Sequence, residues 1–242
     1  MTSVRREDIF NRLSTARMQP FLTESDGNYK DALALYKWHM ELSSAVKEVL
    51  AFTEIIVRNA IDEKLTPWNE RELGRPKSWL LEVPAAPLAS IIAQQRTSAN
   101  RSARASVRGR PSTHPRHDCV PNHDDVLAHT TFGLWKVVLP NHRPGASTTN
   151  PQNQGRKKLW EEAIESAFPH VEDRDGSQTY WNVVHCNELR NKVAHMDSLL
   201  NVDVIDESRR AFALIRAIDP QLSTWVSSQS RVSAIFNKRP GK

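Results

Sequence analysis

The chain is poor in three things. It has 2 cysteines in 242 residues, Cys119 and Cys186, far apart. That excludes a disulfide framework and points to a reducing compartment. It has no uninterrupted apolar run of membrane-spanning length, and the opening MTSVRREDIF holds no hydrophobic signal region. It has no acidic residue from Val83 to His117, although Arg96, Arg101, Arg104, Arg108, Arg110 and Arg116 all fall there. Strand-like alternation and internal repeats are missing as well. These absences lead us to expect a cytoplasmic protein with no membrane partner.

Length and balance set further bounds. A chain of 242 residues can bury a sizeable core as one large domain. Its apolar fraction of 39% is low enough to suggest a globular body carrying a polar, disordered segment. The net charge of +5 favours anionic partners, nucleic acid above all.

Hydrophobic periodicity predicts helices near 6–17, 28–65, 122–139, 156–168, 177–200, 203–218 and 220–236, and a short one in APLASIIAQQ. In the long second helix, Leu35, Leu42, Val49 and Ile56 recur every seven residues. Trp38, Ala45, Phe52 and Asn59 form a parallel row, which sets an amide on the packed seam. Pro67 reads as the stop of that helix. Residues 96–121 read as a flexible basic loop and 237–242 as a basic tail. The fold class is therefore all-α, a single bundle-like domain over 1–242 with a disordered Arg-rich insertion.

The chemistry-bearing stretch is CNELRNKVAHMDSLL, residues 186–200. Its apolar stripe is Val183, Cys186, Leu189, Val193, Met196 and Leu200, and Arg190 and His195 fall off it. Asn191 and His195 are four apart and share a face. Arg190 lies about 140° around the helix from His195. An imidazole titrates near neutrality and can move a proton between a 2′-hydroxyl and a leaving 5′-oxygen. A guanidinium can grip a phosphate and stabilise charge developing on it, and asparagine can orient either group. The same residues also suit a helix C-terminus, where cations complement the dipole. A second Arg-Asn pair sits in TEIIVRNAIDEKL, where Glu54, Arg58 and Asp62 share one charged face. Two readings stay open there: a surface ion-pair ladder with a register-setting asparagine, or Arg58 and Asn59 facing the Arg190–His195 segment across a helix pair.

Two other clusters are less telling. HPRHDCVPNH holds His114, His117, Cys119 and His123, which are metal-ligand types, but no second ligand pair stands at finger-like spacing. No metal is assigned. Arg101, Arg104, Arg108 and Arg110 suit RNA phosphates, with no aromatic residue between Arg96 and Cys119 for base stacking.

Three segments occur in order: ALALYKWHMELSSAVKEVLAFTEIIVRNAI, DDVLAHTTFGLWKVVL and ELRNKVAHMDSLL. Together they resemble the Abi-like proteins of bacteria, the AbiD and AbiF group of the HEPN superfamily, over roughly residues 28–66 and 122–200. Arg-polar-x3-His is that superfamily's signature. The resemblance implies a HEPN-like helical bundle and a metal-independent endoribonuclease without cofactor, acting in abortive infection (phage defence) or as a growth-arresting toxin. It implies RNA, tRNA or another structured RNA, as substrate and a homodimer with a composite cleft; a third, weaker reading is a toxin held silent by a separate antitoxin or by modification, a partner that no feature of the sequence names. Matched position by position, Arg190 and His195 take the catalytic pair and Asn191 the polar residue between them. Arg58, Asn59 and Glu54 match the first Arg-Asn segment in a supporting role. The chain departs from the family in HMDSLL, where the family carries more polar or acidic residues, and in the length of the Arg-rich insertion. A non-catalytic HEPN module that binds RNA or a partner protein is the alternative.

Overall fold

A computed structural model describes residues 5–147 and 149–241. The described residues contain helices and no strand. In chain order these are α1 (Arg6–Arg12), α2 (Thr15–Glu24), α3 (Tyr29–Leu73), α4 (Leu88–Arg108), α5 (His123–Leu127), α6 (Phe132–Val138), α7 (Pro151–Glu162), α8 (Ser177–Ala194), α9 (Val204–Ile218), α10 (Pro220–Gln229) and α11 (Val232–Phe236), with a 3-10 turn at Ile164–Ala167. No helix among them is long and apolar enough to cross a membrane.

The organising element is α3, 45 residues long. At 1.5 Å per residue it runs about 67 Å. α1, α2, α8, α9 and α11 pack along it. Asn28 starts it by accepting the N–H groups of Lys30 and Asp31. Gly74, at φ 66°, ends it in the left-handed conformation. The helix runs straight through Pro67, which the sequence reading takes as its stop. Pro67 sits on the exposed side, while Leu65 and Trp68 are buried on either side of it. Their burial, and the bond from Trp68 Nε1 to Glu162 Oε2 at 2.9 Å, outweigh the one backbone bond that proline removes.

The heptad stripe of α3 also drifts. A straight α-helix falls behind a seven-residue repeat by about 20° per heptad. Leu35, Leu42 and Val49 are buried, and the buried line then passes to Val57, Ile61 and Leu65. Asn59 ends up exposed rather than on the packed seam.

The largest correction concerns residues 96–121. Through Arg108 this segment is helix, the second half of α4. Ala99, Ala103 and Val107 are buried four residues apart, and the arginines take the opposite side. Alanine and arginine are both strong helix formers. Residues 109–122 carry no long regular element but are pinned. Arg110 and Arg116 both pair with Asp125, and His117 Nδ1 lies 2.8 Å from the Arg110 carbonyl. The basic end of the chain is docked too: Arg239 pairs with Glu24 and lies over the Trp38 ring, 5.5 Å from its centroid.

Around the central pair the predicted 122–139 helix is two, α5 and α6, separated by residues 128–131. α5 carries a capping box, with Asn122 and Asp125 bonded reciprocally. The predicted helix over 156–168 begins earlier, at Pro151, and closes in the 3-10 turn. α8 is capped from outside its own chain start. The buried Asp173 accepts the N–H groups of Gln178 and Thr179 at 3.1 and 2.7 Å.

Candidate active site

α3 and α8 lie against each other, and a groove of about 310 Å³ opens between them. Lys47, Ala51 and Glu54 line it from α3, and Arg190 and Val193 from α8. Burial pushes the Glu54 carboxyl above the ordinary value, while Arg190, the Phe132 N–H that it accepts, and Arg58 pull the other way.

The structure brings Arg58 and Arg190 each within electrostatic reach of Glu54. Neither arginine appears in an ion pair among the described residues. Each leans on its own following asparagine: Arg58 Nε donates to Asn59 Oδ1 at 3.2 Å, and Arg190 Nη1 to Asn191 Oδ1 at 3.5 Å, the long limit of such a bond. The ion-pair ladder of Glu54, Arg58 and Asp62 does not form, because Asp62 is engaged elsewhere.

His195 is placed differently from the sequence expectation. α8 stops at Ala194, not near residue 200, and His195 is its C-cap. The end is a Schellman turn: Met196 N–H bonds the Val193 carbonyl and Asp197 N–H the Lys192 carbonyl, at 3.2 and 2.8 Å. Met196 takes the left-handed position, φ 55°, that glycine normally fills. The exposed His195 therefore follows Ala194, which lines the groove, and does not itself line it with Arg190.

Two residues that the sequence reading passed over fix this turn. Arg17 Nη1 donates to the Met196 carbonyl at 2.8 Å. His39, 1% exposed, places Nε2 3.2 Å from the Asp197 carbonyl. Burial lowers the His39 pKa, the Asp197 carbonyl raises it and the Arg17 charge lowers it. The neutral ring donates from Nε2. The signal was available: His39 follows Trp38 on the buried side of α3. Met196→Gly relieves about 1–2 kcal/mol of left-handed strain against about 0.5–1 kcal/mol of glycine entropy. It should raise stability to urea by about 0.5–1 kcal/mol. A lowered midpoint would show that the 41% exposed methionine side chain matters more than its backbone.

Other candidate clusters resolve as follows. Ser78 Oγ lies 2.8 Å from His123 Nδ1, and His123 Nε2 lies 2.9 Å from Asp62 Oδ1. The residue types are those of a hydrolase triad, with the two ring nitrogens exchanged. Yet Ser78 Oγ also accepts the N–H groups of Leu80 and Leu81, at 3.3 and 3.1 Å, so both its lone pairs are taken. It closes a turn and has no electron pair free for attack. The same bonds draw His123 away from His114, His117 and Cys119, and among the described residues no three His, Cys, Asp or Glu side chains converge as metal ligands. Cys186 is buried and its thiol pKa is pushed far up, which removes it as a nucleophile. Arg101, Arg104 and Arg108 are exposed on α4, but Arg110 is neutralised by Asp125 and is withdrawn as an RNA contact.

No protein-family model, no curated protein and no solved structure matches this chain. The functional reading rests on the residues themselves.

Proposed function

We propose that this protein is a metal-independent endoribonuclease of the HEPN type, working as a homodimer in abortive infection or as a toxin. The observation that carries the reading is Arg190. It lines an open groove between two packed helices without an ion-pair partner among the described residues, five residues before an exposed histidine held on a rigid turn.

In this reading His195 takes the proton of a 2′-hydroxyl. The 2′-oxygen then attacks the adjacent phosphorus, and the departing 5′-oxygen is protonated by an imidazolium. Arg190 holds the phosphate and the negative charge that gathers on it. Asn191 orients the guanidinium, and Glu54 with Arg58 sets the field behind it. The products are a 2′,3′-cyclic phosphate and a 5′-hydroxyl. A twofold arrangement supplies two imidazoles, one as base and one as acid.

The separation of Arg190 from His195 within one chain favours two readings: a cleft completed by a second copy, or a module that binds RNA or protein without cutting it. Incubating the purified protein with total tRNA and a structured RNA in EDTA separates them. Cleavage that leaves cyclic phosphate ends supports the nuclease. Intact RNA that is retained by the folded protein supports the binding module.

A further inference from the structure

We propose that the outer face of α4 is a rigid track for the sugar–phosphate backbone of double-helical RNA, separate from the Arg190 groove. Arg101, Arg104 and Arg108 are exposed there and follow at three- and four-residue intervals, so they rise on one face. None makes an ion pair or a side-chain hydrogen bond among the described residues. No acidic residue occurs in sequence from Val83 to His117 to neutralise them. By contrast Arg110 and Arg116, just beyond the helix, are both spent on Asp125.

The ridge is built rather than incidental. Asn100 Nδ2 donates to the Leu80 carbonyl at 2.9 Å and Arg96 Nη1 to the Glu82 carbonyl at 2.7 Å. These bonds hold the 80–82 segment against α4. The result is a groove of about 510 Å³ between that segment and the arginines, with Leu81 on one wall. On the inner side Ala99, Ala103 and Val107 seat the helix in the core, so the arginine spacing is fixed before any ligand arrives.

The charge selects phosphate, which a guanidinium can grip in two places. From Arg101 to Arg108 the helix rises about 10 Å, long enough to lie along more than one phosphate of a duplex strand. α4 itself carries no Phe, Tyr, Trp or His beyond Arg96, so the arginine face offers no ring on which unpaired bases would stack. That favours a duplex over a single strand and contact without sequence readout. The choice of RNA over DNA rests on the ribonuclease reading above; the track itself does not.

The test is titration of a 2′-O-methyl RNA duplex of about 16 base pairs, which cannot be cleaved, across a salt series. Each phosphate contact adds about 0.9 to the slope of log affinity against log salt. Arg101→Ala/Arg104→Ala/Arg108→Ala should lower that slope by about 2–3, and the lysine triple should keep it. Equivalently, between 50 and 200 mM salt the wild type should lose about 40-fold more affinity than the alanine triple. All three side chains are exposed, so circular dichroism should show an unchanged fold. An unchanged slope overturns the track. So does equal binding of the single strand, of polyglutamate, or of a DNA duplex that is taken while RNA is not. Duplex binding by a protein that proves unable to cleave RNA leaves the track standing and removes only the nuclease reading.

Discussion

His195→Ala should lower RNA cleavage by about 10²–10⁴-fold, the range for a lost general acid or base. It should leave the urea midpoint within about 0.5 kcal/mol of wild type, as for an exposed substitution. Both halves follow from where the residue stands. The ring is exposed and makes no hydrogen bond among the described residues. Nothing in the fold depends on it except the backbone of the turn, which alanine can supply, since Met196 and not His195 occupies the left-handed position. A large loss of stability in this variant would mean that the imidazole is a structural cap. Retained cleavage would remove His195 from the chemistry. A matched loss in Arg190→Ala, with Arg190→Lys recovering only part, would fit a phosphate held by a planar fork rather than by a point charge.

The all-helical architecture was readable, because α9 carries a clear apolar period of 3.6, α3 a long heptad stripe, and nothing in the chain alternates like a strand. What was not readable has common causes. The arginine segment of α4 looked like a loop because its buried line is alanine, which a hydropathy pattern barely registers, and because its exposed line lacks the mixed charges of most surface helices. Pro67 looked like a stop because a proline signal is local, whereas the burial of Leu65 and Trp68 that carries the helix past it is tertiary. Asn59 falls on the seam only if a period of 3.5 is extended over three heptads, further than a straight helix keeps to it. For the site, the approach of Glu54 to Arg190 across two helices was foreshadowed by the two Arg-Asn segments. The burial of His39 was legible from its place beside Trp38, but its partner, like that of Arg17, was not, since each acts on a carbonyl more than 150 residues away.

Asp62 is where the ladder reading and the structure give opposite results. As a rung of a surface ladder it would contribute a few tenths of a kcal/mol, and alanine there would be almost silent. In the structure Asp62 Oδ1 instead accepts Trp79 Nε1 at 2.8 Å and His123 Nε2 at 2.9 Å, beneath a tryptophan with no exposed surface. Ser78 donates its hydroxyl proton to His123 Nδ1, because both its lone pairs are occupied, and this leaves the His123 hydrogen on Nε2 to point at Asp62. One carboxylate therefore closes a chain of bonds from α3 through α5 to the 78–82 turn, the same turn that walls the arginine groove. Asp62→Ala strips the acceptor from two largely buried donors, each costing about 1–3 kcal/mol when left unpaired. The variant should lose about 3–5 kcal/mol in urea unfolding, a large share of a typical domain's stability. Asp62→Asn keeps an oxygen in the same place and can still accept both, so it should cost only about 1 kcal/mol. A mild alanine variant, or an asparagine variant as damaged as alanine, would show that charge pairing along α3, not this buried acceptor, is what Asp62 supplies.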